Sequence, residues 1–425
     1  MIAWLLISFF VLLFLGVPIA MSLGLSAMGG ILFLGGGSTV TIAQRMFEGM
    51  NSFALLAIPL YTFAGFTMSK GGISKRLMDF CYSIVGHIYG GLAHVNVLSS
   101  MIFAGISGSA VADTAGVSGM FMPEMIRKGY SKNFTVAVTA ISSTIGIIIP
   151  PSIPMVVIAG ICGISTGKLF LGGIIPGILC GLAQMIVSSF LAKKEGVPKE
   201  PGHFTIGPVL HGLWESWPAL LMPIIIVGTI TMGIVSPTEA GVIAVVYGLF
   251  AGGIIYRELK WEDIKFAFAE TVRTSGRIFI VIGAAKLYTV MLTTAGFDKW
   301  VAKTMLGFST NPTVILIVIL LIFFIVTMFM ESIATLTLFM PILYPIALGV
   351  GINPIVLSVL ITVVIGIGLV TPPVGMCIYV ACDLMDTTVG EVFPTLVPFI
   401  AATFVCIALM VAFPQLILLP TYLMA

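Results

Sequence analysis

Charge is what this sequence has least of. Asp, Glu, Lys and Arg make up 8% of its 425 residues, where a soluble protein carries roughly a quarter. So few charges cannot cover a water-facing surface, and lipid must be the main solvent. The 59% hydrophobic content and a mean hydropathy of +1.18 agree. A net charge of +2 leaves no basic surface for nucleic acid. Six cysteines (Cys81, Cys162, Cys180, Cys377, Cys382 and Cys406) stand singly in apolar stretches, with no CxxC or Cys/His spacing, so they read as small buried hydrophobes rather than metal ligands. No GxxxxGK[ST] loop occurs, which excludes ATP hydrolysis by that route. No basic residue precedes Arg45, so the apolar residues 2–15 lack the charged start of a signal peptide and are expected to stay as a first span. Alternation of apolar and polar residues is also missing, which argues against a β-barrel.

Long apolar runs are what the chain does have. A membrane helix takes about 20 residues, so the length leaves room for roughly ten, and the expected fold is an all-α polytopic membrane protein. The stretches 89–123 and 312–345 are too long for one span and carry polar residues in the middle, so each is expected to be a re-entrant hairpin. The stretches 133–163 and 353–384 each contain a Pro-Pro pair, which removes backbone donors and breaks a helix in two. If both hairpins return to their own side and the N-terminus is periplasmic, Arg45, Lys168, Lys299 and Lys303 lie outside and Lys286 lies within a span. The other fourteen of the 19 basic residues then face the cytoplasm, as the positive-inside rule asks. The C-terminus comes out periplasmic as well.

The rule-breaking features occur twice. Asp113-Thr114, Phe121-Met122-Pro123, Ile145-Gly146 and Pro150-Pro151 are matched in order by Glu331-Ser332, Phe339-Met340-Pro341, Ile367-Gly368 and Pro372-Pro373. Gly72-Ile73-Ser74-Lys75 similarly matches Gly296-Phe297-Asp298-Lys299. Residues 1–192 and 218–425 are expected to be two repeats around a polar linker, 193–217. The linker's stretch 203–217, with His203, His211, Trp214 and Trp217, reads as lying along the membrane surface. An odd number of crossings per half would make the repeats inverted, an architecture of many secondary transporters.

An acid inside a membrane is costly and marks function by default. Around Asp113, Ser107, Ser109 and Thr114 add oxygen ligands within a glycine-rich run, and the break at Pro150 offers carbonyls. Glu331, Ser332, Thr335 and Thr371 form the second set. All-oxygen shells suit hard cations such as sodium better than transition metals. Half-helix N-termini after each break suit an anionic substrate, which brings in Ser152, Pro372 and Pro373. Lys286, Arg273 and Arg277 are further candidates to meet a carboxylate. Against these stand plain packing by small residues, protonated acids bonded to carbonyls, and interfacial anchoring for the basic side chains.

Gly105-Ile106-Ser107-Gly108-Ser109-Ala110-Val111-Ala112-Asp113, Phe121-Met122-Pro123-Glu124-Met125, Ile149-Pro150-Pro151-Ser152, Ser236-Pro237-Thr238-Glu239-Ala240 and Leu369-Val370-Thr371-Pro372-Pro373-Val374-Gly375 occur in this order. Together they resemble the large membrane subunit of tripartite ATP-independent periplasmic (TRAP) transporters along essentially the whole chain. The resemblance implies an elevator-type carrier of the bacterial inner membrane, driven by sodium (the coupling ion). It also implies a small membrane subunit and a periplasmic substrate-binding protein as partners, and carboxylates such as C4-dicarboxylates or sialic acids as substrates. By the same resemblance, ion ligation falls on Ser107, Ser109, Asp113, the Pro150 region, Glu331, Ser332, Thr335 and Thr371. A proton-coupled carrier and an ion channel are the rival readings. An intramembrane hydrolase would need a base beside Ser107, and no histidine is placed to serve.

Overall fold

A computed structural model describes residues 1–34, 39–197 and 205–424; His203 and Lys199 lie outside the described residues. The described residues form helices and no strands. Among the described residues, seven helices are long and apolar enough to cross a membrane, and shorter apolar helices join them.

Two broken helices form the centre. The first runs Lys132–Ser143, tightens to a 3-10 turn over Thr144–Ile147, passes Pro150-Pro151 and resumes as Ile153–Cys162. The second runs Pro354–Gly368, passes Pro372-Pro373 and resumes as Met376–Asp383. Both Pro-Pro peptides are cis. Residues 134–143 and 355–368 are buried on every side. The two breaks touch: a Cβ on Gly366 would lie 3.3 Å from the Thr144 Cβ.

Each long polar-centred stretch is a helical hairpin. Gly91–Ser107 turns at Gly108 (φ +66°) into Ala110–Arg127, and Pro312–Thr327 turns into Ser332–Gly349. The hairpins pack crosswise on the breaks. Ile153–Cys162 lies against Ser332–Gly349, while Met376–Asp383 lies against Ala110–Arg127. Prolines at 123, 341 and 345 sit inside these helices without ending them.

The 34-residue helix Trp261–Thr294 gathers a second group of helices. It packs on Ile19–Leu34, Thr39–Met50 and Ala57–Lys70, and its Tyr288 donates a hydrogen bond to the Leu5 carbonyl (2.9 Å). Ala57–Lys70 in turn packs on Pro237–Phe250, where a Cβ on Gly241 would come 2.8 Å from the Leu60 Cβ. In lipid, helix association rests on such close packing rather than on escape from water. Two short amphipathic helices, Ile73–Val85 and Phe297–Phe308, each start after a left-handed glycine, Gly72 (φ +79°) and Gly296 (φ +80°).

The linker differs from its expected form. Ile206–Thr231 is one continuous helix through Pro218, so His211, Trp214 and Trp217 belong to the helix that follows and not to a separate surface segment. Trp214 is largely exposed there. Thr166–Lys194 shows how this protein builds an outward apolar face: Ile178, Leu182, Ile186 and Phe190, four residues apart, are all exposed.

Candidate functional site

Backbone hydrogen bonds tie each hairpin tip to its neighbouring break. Ile153 N–H donates to the Gly108 carbonyl (3.2 Å), and Val374 N–H donates to the Met328 carbonyl (2.9 Å). Gly108 has to be glycine twice over. Its φ is left-handed, and a Cβ would lie 2.7 Å from the Pro151 carbonyl oxygen.

At the first tip, Ser109 caps the second hairpin helix by accepting from Ala112 N–H (3.4 Å), and Asp113 follows in the first turn. Asp113 is fully buried. One of its carboxyl oxygens, Oδ1, is bonded to the Ser107 hydroxyl. The other, Oδ2, is buried with no hydrogen-bond partner, and it points at Gly146, whose Cβ would sit 2.0 Å away. A buried acceptor left unmade costs its full desolvation, so it calls for an explanation. Thr114 turns its hydroxyl to the Ala110 carbonyl (2.9 Å) and lies within hydrogen-bond reach of the Cys377 thiol, from the other break. Ser152 is fully buried, caps Ile153–Cys162 and donates to the Ile147 carbonyl.

The second tip is built differently. Glu331 is itself the N-cap of Ser332–Gly349. Its carboxylate accepts from Ile333 N–H (3.0 Å), Ala334 N–H (3.3 Å) and the Ser332 hydroxyl (2.9 Å). Thr335 donates to the Glu331 carbonyl (3.1 Å) and Thr371 to the Ile367 carbonyl (2.7 Å). Both acids stand eight residues before Phe-Met-Pro, yet one is a cap and the other lies four residues inside its helix. The two motifs are therefore offset by about one turn. Glu331→Ala is expected to lower stability by about 1 kcal/mol through loss of the cap, with Glu331→Gln losing less. Thermal unfolding of both variants in detergent checks this, and an equal loss for the two would remove the capping role.

Among the described residues no cluster of three or more His, Cys, Asp or Glu side chains could hold a metal ion. What the first tip offers is an orphaned carboxylate oxygen with hydroxyls and carbonyls around it, which fits a hard monovalent cation. The basic candidates lie elsewhere. Lys286 packs on Gly49, and its charge, after the hydrogen bond from Arg45, helps hold the Glu48 carboxyl below its usual range. Arg273 is exposed and paired with Glu270 (2.6 Å). Arg277, one turn further along the same helix, is exposed as well.

Two features were missed from sequence. One is Gly146 as the wall behind Asp113. The other is a buried polar chain between Gly91–Ser107 and Lys132–Ser143: Asn96 donates to Thr139 (2.7 Å), Ser142 to Asn96 (3.0 Å) and Ser100 to Ser142 (3.1 Å). Asn96 in a long apolar run was the available signal.

The sequence matches the family model for the tripartite ATP-independent periplasmic transporter, DctM component, over residues 6–416. The chain belongs to the TRAP transporter DctM family. It is a multi-pass membrane protein, in keeping with its seven long apolar helices. It is 35% identical over 408 residues to the sialic acid TRAP transporter large permease protein SiaM of Vibrio cholerae, covering 96% of this chain and 95% of that one. It is also 35% identical over 403 residues to the C4-dicarboxylate large permease protein DctM of Pseudomonas aeruginosa, covering 95% and 94%. The isethionate TRAP transporter permease protein DctMQ of Oleidesulfovibrio alaskensis is 36% identical over 393 residues and 92% of this chain, and the chain spans 62% of that relative's length. The relatives are named as permease proteins, in agreement with a carrier rather than an enzyme. Among solved structures, the YdaH transporter of Alcanivorax borkumensis shares the fold at a TM-score of 0.60 and 13% identity, covering 89% of this chain and 88% of that one.

Proposed function

We propose that this DctM-family chain is the permease of a sodium-coupled carrier for a small organic anion in the bacterial inner membrane. The anion is a carboxylate of the sialic acid or C4-dicarboxylate kind, or another small organic acid. A periplasmic binding protein delivers it, and a small membrane subunit completes the membrane part. Residues 1–192 and 218–425 are inverted repeats, with both termini periplasmic. The hairpins and breaks move as one body, elevator-fashion, against the helices around Trp261–Thr294. Sodium is held by Asp113 with Ser107, Ser109, Thr114 and carbonyls near Pro150. A second ion lies by Glu331, Ser332, Thr335 and Thr371. Ser152, Pro372 and Pro373 flank the path of the anion.

The observation that carries this reading is the buried, unpartnered Oδ2 of Asp113. A bound cation would satisfy it. The paired tip-to-break hydrogen bonds support the repeat, and the names of the relatives support the substrate class.

An ion that binds only the folded state raises its stability, by about 2.7 kcal/mol at a hundredfold excess over Kd. Exchanging potassium for sodium at constant ionic strength is expected to raise the thermal midpoint of the purified protein, and Asp113→Asn to remove most of that rise. No difference between the two ions would sink sodium coupling and move proton coupling to the front.

A further inference from the structure

Each hairpin is reached through a short amphipathic helix that starts after a left-handed glycine, Gly72 before the first and Gly296 before the second. The sequence repeats there, yet the surroundings differ. A Cβ on Gly72 would run into the Glu258 carboxylate and the Arg76 guanidinium, whereas a Cβ on Gly296 would meet nothing within 4 Å. Four residues on from the glycine stands Arg76 in the first arm and Trp300 in the second.

Arg76 draws several partners to one side chain. Its Nη2 pairs with Glu258 (2.7 Å) and its Nη1 donates to the Gly72 carbonyl (2.8 Å). Its guanidinium lies over the Tyr256 ring, 4.2 Å from the centroid. Its own carbonyl accepts from the buried Ser216 hydroxyl (2.9 Å), and Tyr256 donates to the Glu215 carbonyl (3.1 Å). Glu215 and Ser216 belong to Ile206–Thr231, while Tyr256 and Glu258 belong to the loop that leads into Trp261–Thr294. A half-exposed ion pair by itself contributes little. Here the guanidinium also stacks on a ring and bonds a carbonyl, which fixes its planar fork in one orientation.

The second arm has no such hold. Trp300 is 60% exposed and stacks on Phe297 of its own helix. Among the described residues, no side-chain hydrogen bond or ion pair ties Phe297–Phe308 to another element, and Asp298 Oδ1 is left without a partner.

The first arm is also the one placed between two neighbours. On one side Ile73–Val85 packs on Ile206–Thr231, where a Cβ on Gly212 would lie 3.2 Å from the Phe80 Cα. On the other it packs on the hairpin helix Gly91–Ser107, and that side is apolar, with Cys81 buried in one cluster with Val95, Val117 and Phe121. Directional contacts therefore fasten the arm to Ile206–Thr231 and the loop, and non-directional ones, which tolerate sliding, face the hairpin.

We propose that Arg76 is a clasp that fixes Ile73–Val85 to Ile206–Thr231 and the 256–260 loop, so that the first hairpin slides along this arm while the second is carried on an arm left free. This rests on the elevator reading above and names the fixed rail in it.

The test is amide hydrogen exchange on the purified chain, read peptide by peptide, because exchange reports local opening. Beside it stands sodium-driven uptake of succinate, N-acetylneuraminate and isethionate by vesicles carrying the assembled transporter. In the wild type, Ile73–Val85 is expected to exchange at least tenfold more slowly than Phe297–Phe308. Arg76→Gln is expected to speed exchange in Ile73–Val85 about tenfold, to leave Phe297–Phe308 unchanged and to slow uptake several-fold. Glu258→Gln, which removes the partner on the loop side, is expected to do the same. Exchange in Ile73–Val85 that neither variant alters overturns the proposal, as does equal exchange of the two arms in the wild type. Faster exchange along the whole chain also overturns it, because Arg76 would then support the fold at large. Faster exchange of the arm with unchanged uptake overturns it too, since transport would not use the contact. A wild type that shows the expected exchange and takes up none of the three anions keeps the clasp and removes the transport reading instead.

Discussion

Gly146→Ala is expected to abolish the sodium-induced rise in stability while leaving the protein folded. A Cβ at this position would lie 2.0 Å from Asp113 Oδ2 and 3.0 Å from its Cγ, and the nearest atoms it meets all belong to that one side chain. The clash is therefore relieved by rotating the Asp113 carboxylate, which also pulls Oδ1 from the Ser107 hydroxyl. Rotation of one buried carboxylate disturbs the fold little, but an oxygen shell for a small cation depends on where each oxygen sits. The increment at risk is the whole binding term, about 2.7 kcal/mol at a hundredfold excess of sodium over Kd. Thermal midpoints in sodium and in potassium, measured for both proteins, check this. A full sodium response in Gly146→Ala would mean that Oδ2 is not a ligand. A protein that no longer unfolds cooperatively in either salt would mean that Gly146 is needed for packing alone.

Much of the arrangement around Asp113 was legible in the sequence, and the reasons are local. A Pro-Pro pair removes two donors wherever it stands, so both breaks could be placed by inspection. Polar residues inside over-long apolar runs likewise marked 89–123 and 312–345 as hairpins, whose turns fall at Gly108 and at residues 328–331. The start of the second hairpin helix was not legible. Ser107, Ser109 and Asp113 are all good caps, and only the fold selects Ser109 there and Glu331 in the other half. Counting back from Phe-Met-Pro therefore paired an acid inside a helix with an acid at a cap. The linker misled in the opposite direction. Residues 203–217 read as lying along the membrane surface, yet Ile206–Thr231 is one helix that continues through Pro218 and Pro223. Gly146 was invisible as a site residue because its partner lies 33 positions away, and only tertiary contact brings them together.

Gly105→Ala is expected to cut sodium-driven uptake of the organic anion at least tenfold while sparing sodium binding. Gly105 lies on the first hairpin helix and meets Pro223 of Ile206–Thr231, where a Cβ would come within 2.6 Å of the ring Cγ and 2.8 Å of its Cβ. Gly105 and Asp113 lie on opposite arms of the hairpin, either side of the turn at Gly108, and the clash is with a proline ring that cannot rotate aside. A few residues away, a Cβ on Gly65 of Ala57–Lys70 would lie 3.2 Å from the Ser107 Cα. The hairpin thus meets Ile206–Thr231 and Ala57–Lys70 at points where a glycine lets it come close. In an elevator this is the surface that slides. Overpacking it costs about 1–3 kcal/mol, enough to shift a two-state balance from several-fold to more than a hundredfold. The strain falls on the docked position and not on the oxygens around Asp113, so transport and ion binding should separate. Uptake by vesicles carrying the assembled transporter, set beside the sodium titration of the purified variant, reads the two apart. Unimpaired uptake would show that the hairpin does not slide on Pro223. Loss of both activities together would place Gly105 in the support of the ion site instead.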